Sequence, residues 1–179
     1  MTDYAPNLDD DEDDEDQGPL KGRKNYITRQ GFDALQAELR NLSRIERPKV
    51  VEIVSWAAGN GDRSENGDYI YGRKRLREID RTLDRLSKKL AKIQVVDPAQ
   101  QPDRGRAFFG ATVTIADADD DERVVTLVGE DEADASAGRI SWHSPLARAL
   151  RGAAVGDLRR VTLPGGEREY EVVAIEYPR

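Results

Sequence analysis

Apolar positions along the chain follow two helical periods and then a strand period. Phe32, Leu35, Leu39 and Leu42 recur at spacings of 3, 4 and 3, the period of one helix face. Thr28 precedes them as an expected N-cap, and Gly31 stands where a capping box would place Glu. Pro48 interrupts the run and predicts a bend, because it lacks an N–H and its ring crowds the preceding turn. Val50, Ile53, Val54 and Ala57 resume the stripe. The helical pattern is expected from Tyr26 to about Ala58. Gly59 through Asp68 holds three glycines among cap-type residues and predicts a turn. Beyond it, Tyr69, Gly72, Leu76, Ile79, Leu83, Leu86, Leu90 and Ile93 alternate spacings of 3 and 4 without a break. That is a coiled-coil seam. Two such helices joined by a short loop predict an antiparallel hairpin, ended by Asp97-Pro98.

The period then changes. Thr112–Ile115 and Val124–Val128 flank an acidic turn at Asp117–Asp121, and Arg159–Leu163 faces Tyr170–Ile175 across Pro164-Gly165-Gly166. These segments predict strand hairpins. Ser144 and Pro145 open a short helix to about Leu150, with Ser as the cap and Pro at the first helical position. The expected class is α+β, a helical hairpin followed by a small antiparallel sheet with one helix. The expected divisions are a disordered acidic tail at 1–24, the hairpin at 25–99, a linker at 100–106 and the sheet domain at 107–179.

Charge changes the picture at the N-terminus. Residues 1–20 hold nine acids, eight of them consecutive from Asp9 to Asp16, and no Lys or Arg. The remaining residues carry 26 acids and 28 bases, so an acidic tail precedes a slightly basic body. Such asymmetry points to nucleic acid or a charged partner. The absence of Cys excludes disulfides, thiolate metal sites and Cys nucleophiles. A single His, His143, makes a multi-His metal site or a Ser-His-Asp triad a poor expectation. No apolar run is long enough for a membrane span, and the N-terminus has no signal-peptide pattern.

The hairpin tip carries Asp62, Glu65 and Asp68. Asp62 and Glu65 have capping-box spacing. Residues 62 to 68 also match the first positions of an EF-hand loop, but Arg73 stands where the bidentate Glu belongs. A third reading is an exposed carboxylate pair on a probe. Two carboxylates alone hold Mg²⁺ weakly, because it wants six oxygens, so a partner would complete the site.

Trp56-Ala57-Ala58, Gly61 through Asn66, Asp68-Tyr69 and Lys74 through Asp80 together resemble the bacterial transcript cleavage factors of the Gre family, on the GreB side. Ser144 through Leu150, with Gly152 and Gly156-Asp157, is similar to the family's C-terminal signature. The resemblance runs from about Asn25 to Tyr177. It implies a coiled-coil hairpin and an FKBP-like C-terminal domain. It implies a cytoplasmic, monomeric elongation factor that is not itself an enzyme. Its partners would be RNA polymerase, entered through the secondary channel, and the RNA 3′ segment extruded on backtracking. On this resemblance Asp62 and Glu65 help the polymerase hold a shared Mg²⁺ that cuts the RNA. Ser64, Asn66 and Tyr69 support the tip, and Ser144, Pro145 and Leu146 belong to the docking surface. His143 departs from the acidic residue expected before the Ser-Pro motif.

Basic residues crowd the second helix. Some are placed for intrahelical ion pairs, with Glu78 four residues after Lys74 and Lys88 four after Asp84. Arg73, Lys74, Arg77, Arg81 and Arg85 instead advance in steps that form a strip along the helix, suited to the phosphates of RNA. Trp56 and Trp142 are expected as packing residues. The acidic tail has a solubilising reading and a second one, in which it folds onto the basic strip and competes with RNA. Two rival functions remain: a non-cleaving regulator that enters the same channel, and a prolyl isomerase suggested only by fold analogy.

Overall fold

Strand β1 (Asn25–Ile27), helix α1 (Arg29–Asn41), a π-helical turn (Leu42–Glu46) and helix α2 (Arg47–Gly59) form the first arm of a helical hairpin. Helix α3 (Gly67–Lys92) forms the second. The computed structural model describes residues 24–59 and 66–179. Residues 60–65, which include Asp62, Ser64 and Glu65, lie outside the described residues, as does the acidic run Asp9–Asp16.

The α3 seam is as the spacing predicts. None of its eight residues is exposed, and Gly72, Ile79 and Leu86 are buried. Leu42 is buried with Ile79 and Leu86, and Leu35, Leu39, Val50 and Leu83 pack around them. Near the distal end a Cβ on Gly72 would lie 2.5 Å from Val54 Cγ2. A side chain there would push the arms apart.

Pro48 does not end the helix. Arg47 N–H bonds to Leu42 O, five residues back, so the chain is wound more widely just before the proline. A π turn is a known device for absorbing an extra residue in a helix. Here the inward positions Leu42, Glu46, Val50 and Val54 advance in steps of four. In a regular α-helix those steps would drift off the seam at 3.6 residues per turn. The wider turn takes up the drift where a bend is expected. It also leaves Ile53 beside the seam, 52% exposed, rather than in it.

Two expectations at the base of the hairpin are corrected. Residues 25–27 do not begin the helix, and α3 does not reach Asp97. Ile93–Val95 leaves the helix as β2 and pairs in parallel with β1, Tyr26 opposite Gln94. Val96 N–H closes the pair on Ile27 O at 2.9 Å. β-branched residues favour this extended state, but the partner strand is about 68 residues away in sequence, so no local pattern signals it.

The C-terminal sheet holds β3 (Thr112–Ala116), β4 (Glu122–Val128), β5 (Arg139–Ser141), β6 (Leu158–Leu163) and β7 (Gly166–Glu176), in the order β5-β4-β3-β7-β6. Both predicted hairpins are present, β3 with β4 and β6 with β7. The sheet is mixed rather than purely antiparallel, because β5 joins β4 in parallel. Inward residues Val113, Ile115, Val125, Leu127 and Val172 form the core with Phe109, Trp142 and Leu150. Helix α4 (Pro145–Leu150) closes one side.

Candidate functional site

The second arm begins on a polar cap. Asn66 Oδ1 accepts from Tyr69 N–H at 3.2 Å, and Asn66 Nδ2 donates to Ala57 O at 2.9 Å. One side chain thus starts α3 and ties it to the end of α2. The cap position of α3 belongs to Asn66; Asp62 and Glu65, for which a capping box is one reading, lie outside the described residues. Tyr69 is half-buried and lies under Arg73, whose guanidinium carbon is 5.8 Å from the ring centroid. Arg73 also donates to the Tyr69 hydroxyl at 3.4 Å.

The basic residues of α3 divide into two groups. Arg75 faces the first arm. It donates to Glu46 at 2.9 Å and Glu78 at 3.3 Å, and these carboxylates, Glu46 first, raise its pKa above the ordinary value. Arg47 and Asp80 pair across the opposite side at 2.8 Å. Lys88 meets Asp84 at 2.7 Å, as the spacing predicts. The expected Lys74–Glu78 contact is replaced, because Arg75 holds Glu78. Arg73, Lys74, Arg77, Arg81 and Arg85 are all exposed. Among the described residues none of these five has an ion pair. Their charge is therefore uncompensated along the outer face of a helix about 39 Å long at 1.5 Å per residue. Asp68, in the first turn of α3, sits where a carboxylate suits the helix dipole.

The expected docking residues occupy the far end of the molecule. Ser144 Oγ accepts from Ala147 N–H at 3.2 Å and caps α4. Pro145 is exposed at the first helical position, and Leu146 packs partly against the sheet core. His143 is half-buried, its N–H donating to Ser141 Oγ at 3.2 Å. Val155 and Leu158, 60% and 62% exposed, lie just beyond α4 in sequence. Sequence reasoning passed over both, since exposed apolar residues carry no local signature.

The two ends meet at a junction that spacing does not show. Tyr26 of β1 packs against Phe109 and Trp142, with ring centroids 5.6 and 6.5 Å apart. Arg151 covers Trp142 at 4.1 Å and donates to its carbonyl. Glu132, in the 3-10 turn Glu130–Glu132, accepts from the backbone N–H of Thr28 at 3.0 Å and of Gly129 at 3.2 Å, and from the Thr28 hydroxyl. Thr28 Oγ1 accepts in turn from Gly31 N–H at 3.1 Å. Glu132 therefore completes the cap that Gly31 cannot. Lys89 near the end of α3 pairs with Asp131. Trp142 is a packing residue, as expected, whereas Trp56 is 66% exposed.

Among the described residues no group of three or more His, Cys, Asp or Glu could hold a metal ion. Nor, among them, is any helix long and apolar enough to cross a membrane.

Comparison with known proteins supplies the family. Residues 25–95 match the family model described as transcription elongation factor, N-terminal, and residues 101–177 match that of transcription elongation factor GreA/GreB, C-term. Transcription elongation factor GreB of Neisseria meningitidis serogroup A is 51% identical over 154 residues, 86% of this chain and 94% of that protein. Transcription elongation factor GreA of Ralstonia nicotianae is 45% identical over 84% of this chain and 96% of its own. The crystal structure of GreA factor homolog 1 of Thermus thermophilus aligns at 24% identity over 86% of this chain and 99% of that one, with a TM-score of 0.40. At half the residues shared across nearly the whole relative, the chain belongs to the GreA/GreB family of transcription elongation factors.

Proposed function

We propose that this chain rescues backtracked RNA polymerase by stimulating the polymerase's own cleavage of the extruded RNA 3′ segment. The hairpin enters the secondary channel, and the α4 end, with Ser144, Pro145 and Leu146, rests on the rim. Ser144 shapes this surface through its cap on α4, while Pro145 is available for contact.

The observation that carries the reading is the uncompensated strip of Arg73, Lys74, Arg77, Arg81 and Arg85 leading to the tip. Five exposed cations in line suit a phosphate backbone. Arg75 shows that a nearby guanidinium is neutralised when the fold requires it. A helix needed only for rigidity would have little reason to keep that charge unpaired.

Asp62 and Glu65, at the turn, act in trans as ligands in the polymerase active centre. Two carboxylates supply a minority of the oxygens Mg²⁺ requires, so the site is complete only in the complex. Bound there, the ion would activate water and stabilise the leaving oxygen. Asn66 fixes where the turn rejoins α3, and Tyr69 supports Arg73.

The test uses a halted, backtracked elongation complex with 5′-labelled RNA and Mg²⁺. Adding the protein should shorten the RNA within seconds. Stable binding without shortening would instead identify a non-cleaving regulator of the channel.

A further inference from the structure

Strand β1 fixes where the acidic run attaches to the body. β2 follows directly on α3, and β1 runs parallel to it, with Asn25 opposite Ile93. The chain before Asn25 therefore enters β1 from the α3 side and points back along that helix. Asp16, the last acid of the run, stands eight residues before Lys24, a reach of about 27 Å at the limit of roughly 3.4 Å per extended residue. Counted back from Ile93 at 1.5 Å per residue, Arg85 lies about 12 Å along α3, Arg81 about 18 Å and Arg77 about 24 Å, whereas Arg73 lies about 30 Å away.

Charge selects the same stretch of helix. Arg77, Arg81 and Arg85 are exposed and, among the described residues, without an ion pair. Lys92, seven residues after Arg85 and so on the same face, is also exposed and continues the line. Against these cations stand eight consecutive acids, with no Lys or Arg in residues 1–20. A tethered partner acts at a high effective concentration, about millimolar for a short linker, so a weak attraction suffices to fill the site. We propose that the run Asp9–Asp16 is an intramolecular competitor of RNA, lying over Arg77, Arg81 and Arg85 and leaving Arg73 and Lys74 open beside the tip. An RNA segment then meets two free cations first and displaces the acidic run as it extends along α3. This rests on the strip being an RNA track.

Phenylglyoxal, an uncharged arginine reagent, reads this coverage residue by residue. The full native chain and a full chain with the acids of residues 9–16 replaced by Asn and Gln would be modified at low and high salt, with each arginine followed by mass spectrometry. Arg123 and Arg148, exposed arginines of the C-terminal half, serve as references. At low salt Arg77, Arg81 and Arg85 should react about 10-fold more slowly in the native chain, the ratio of a millimolar effective concentration to a contact of about 10⁻⁴ M. High salt should erase the difference, because exposed charges are screened. The replaced chain should also bind a short single-stranded RNA about 10-fold more tightly at low salt. Equal modification of the three arginines in both chains would overturn the contact, and tighter RNA binding alone would then reflect general repulsion. Protected arginines with equal RNA affinity in the two chains would overturn the competition. Absence of RNA binding by either chain at low salt would overturn the RNA track itself, while the arginine protection would still report whether the acidic run lies on α3.

Discussion

The Glu132 carboxylate occupies the space that a side chain at Gly31 would need: an ideal Cβ on Gly31 would lie 2.5 Å from its carboxyl carbon. That carboxylate is fixed by two backbone N–H groups and the Thr28 hydroxyl. The first helix of the hairpin is therefore capped by a residue from the other half of the molecule. The contact joins the arm that carries the tip to the part expected to dock.

The two residues should be energetically coupled. Gly31→Ala removes a poor helix former, which on an isolated helix is worth about 1 kcal/mol of stabilisation. Here it should destabilise by about 1–3 kcal/mol, because Glu132 must leave its donors. In a Glu132→Ala background the same substitution should be neutral or stabilising. Denaturant unfolding of the four proteins checks this, and additive effects would show that the two residues do not share the space.

The strip should govern salt dependence and not folding. Arg77→Ala/Arg81→Ala removes two phosphate contacts, so the slope of log affinity for single-stranded RNA against log salt should fall by about 1.4. The melting temperature should stay unchanged, since neither side chain has an ion pair among the described residues. Arg75→Ala should do the reverse, lowering the melting temperature with little effect on the slope. Replacing the acids of residues 9–16 by Asn and Gln should tighten RNA binding at low salt only, if the tail competes for the strip. Equal binding at every salt concentration would leave the tail a solubilising role.

Acid sensitivity should trace in part to Asp157. Its carboxylate accepts from Ala154 N–H at 3.0 Å and from Arg159 at 2.7 Å. These contacts, Ala154 first, hold its pKa below the ordinary carboxylate value. A folded-state pKa below the unfolded one contributes stability above about pH 4 that is lost as pH falls through the folded value. Asp134, held down chiefly by Ser136 and then Arg139, has the same sign. Unfolding curves between pH 5 and 2 should show a steep loss in the native chain and a shallower one in Asp157→Asn.

What the sequence made legible follows from how local each cause is. The α3 seam, the two strand hairpins and the Ser144 cap depend on residues within a few positions of one another, and each is found. The β1–β2 pair and the Glu132 cap depend on partners about 68 and 104 residues away. Gly31 registered only as a missing capping residue, although it is the space for a distant one. Pro48 was legible as a disturbance but not as a π turn, because the steps of four around it emerge only once Glu46 is seen at the seam. At the candidate site, charge spacing showed the strip. It could not show that Arg75 is paired and Arg77 is not, nor that Trp56 faces solvent.

The central claim is that Asp62 and Glu65 supply ligands to the polymerase. Its most direct test compares the native chain with Asp62→Asn/Glu65→Gln on the same backtracked complex at fixed Mg²⁺, measuring both RNA cleavage and binding to polymerase. The account predicts binding within a few-fold of native and cleavage reduced at least about 100-fold, the scale of losing groups that act on the transition state. Raising Mg²⁺ should recover part of the lost rate. Cleavage at the native rate by a variant that binds normally would contradict it.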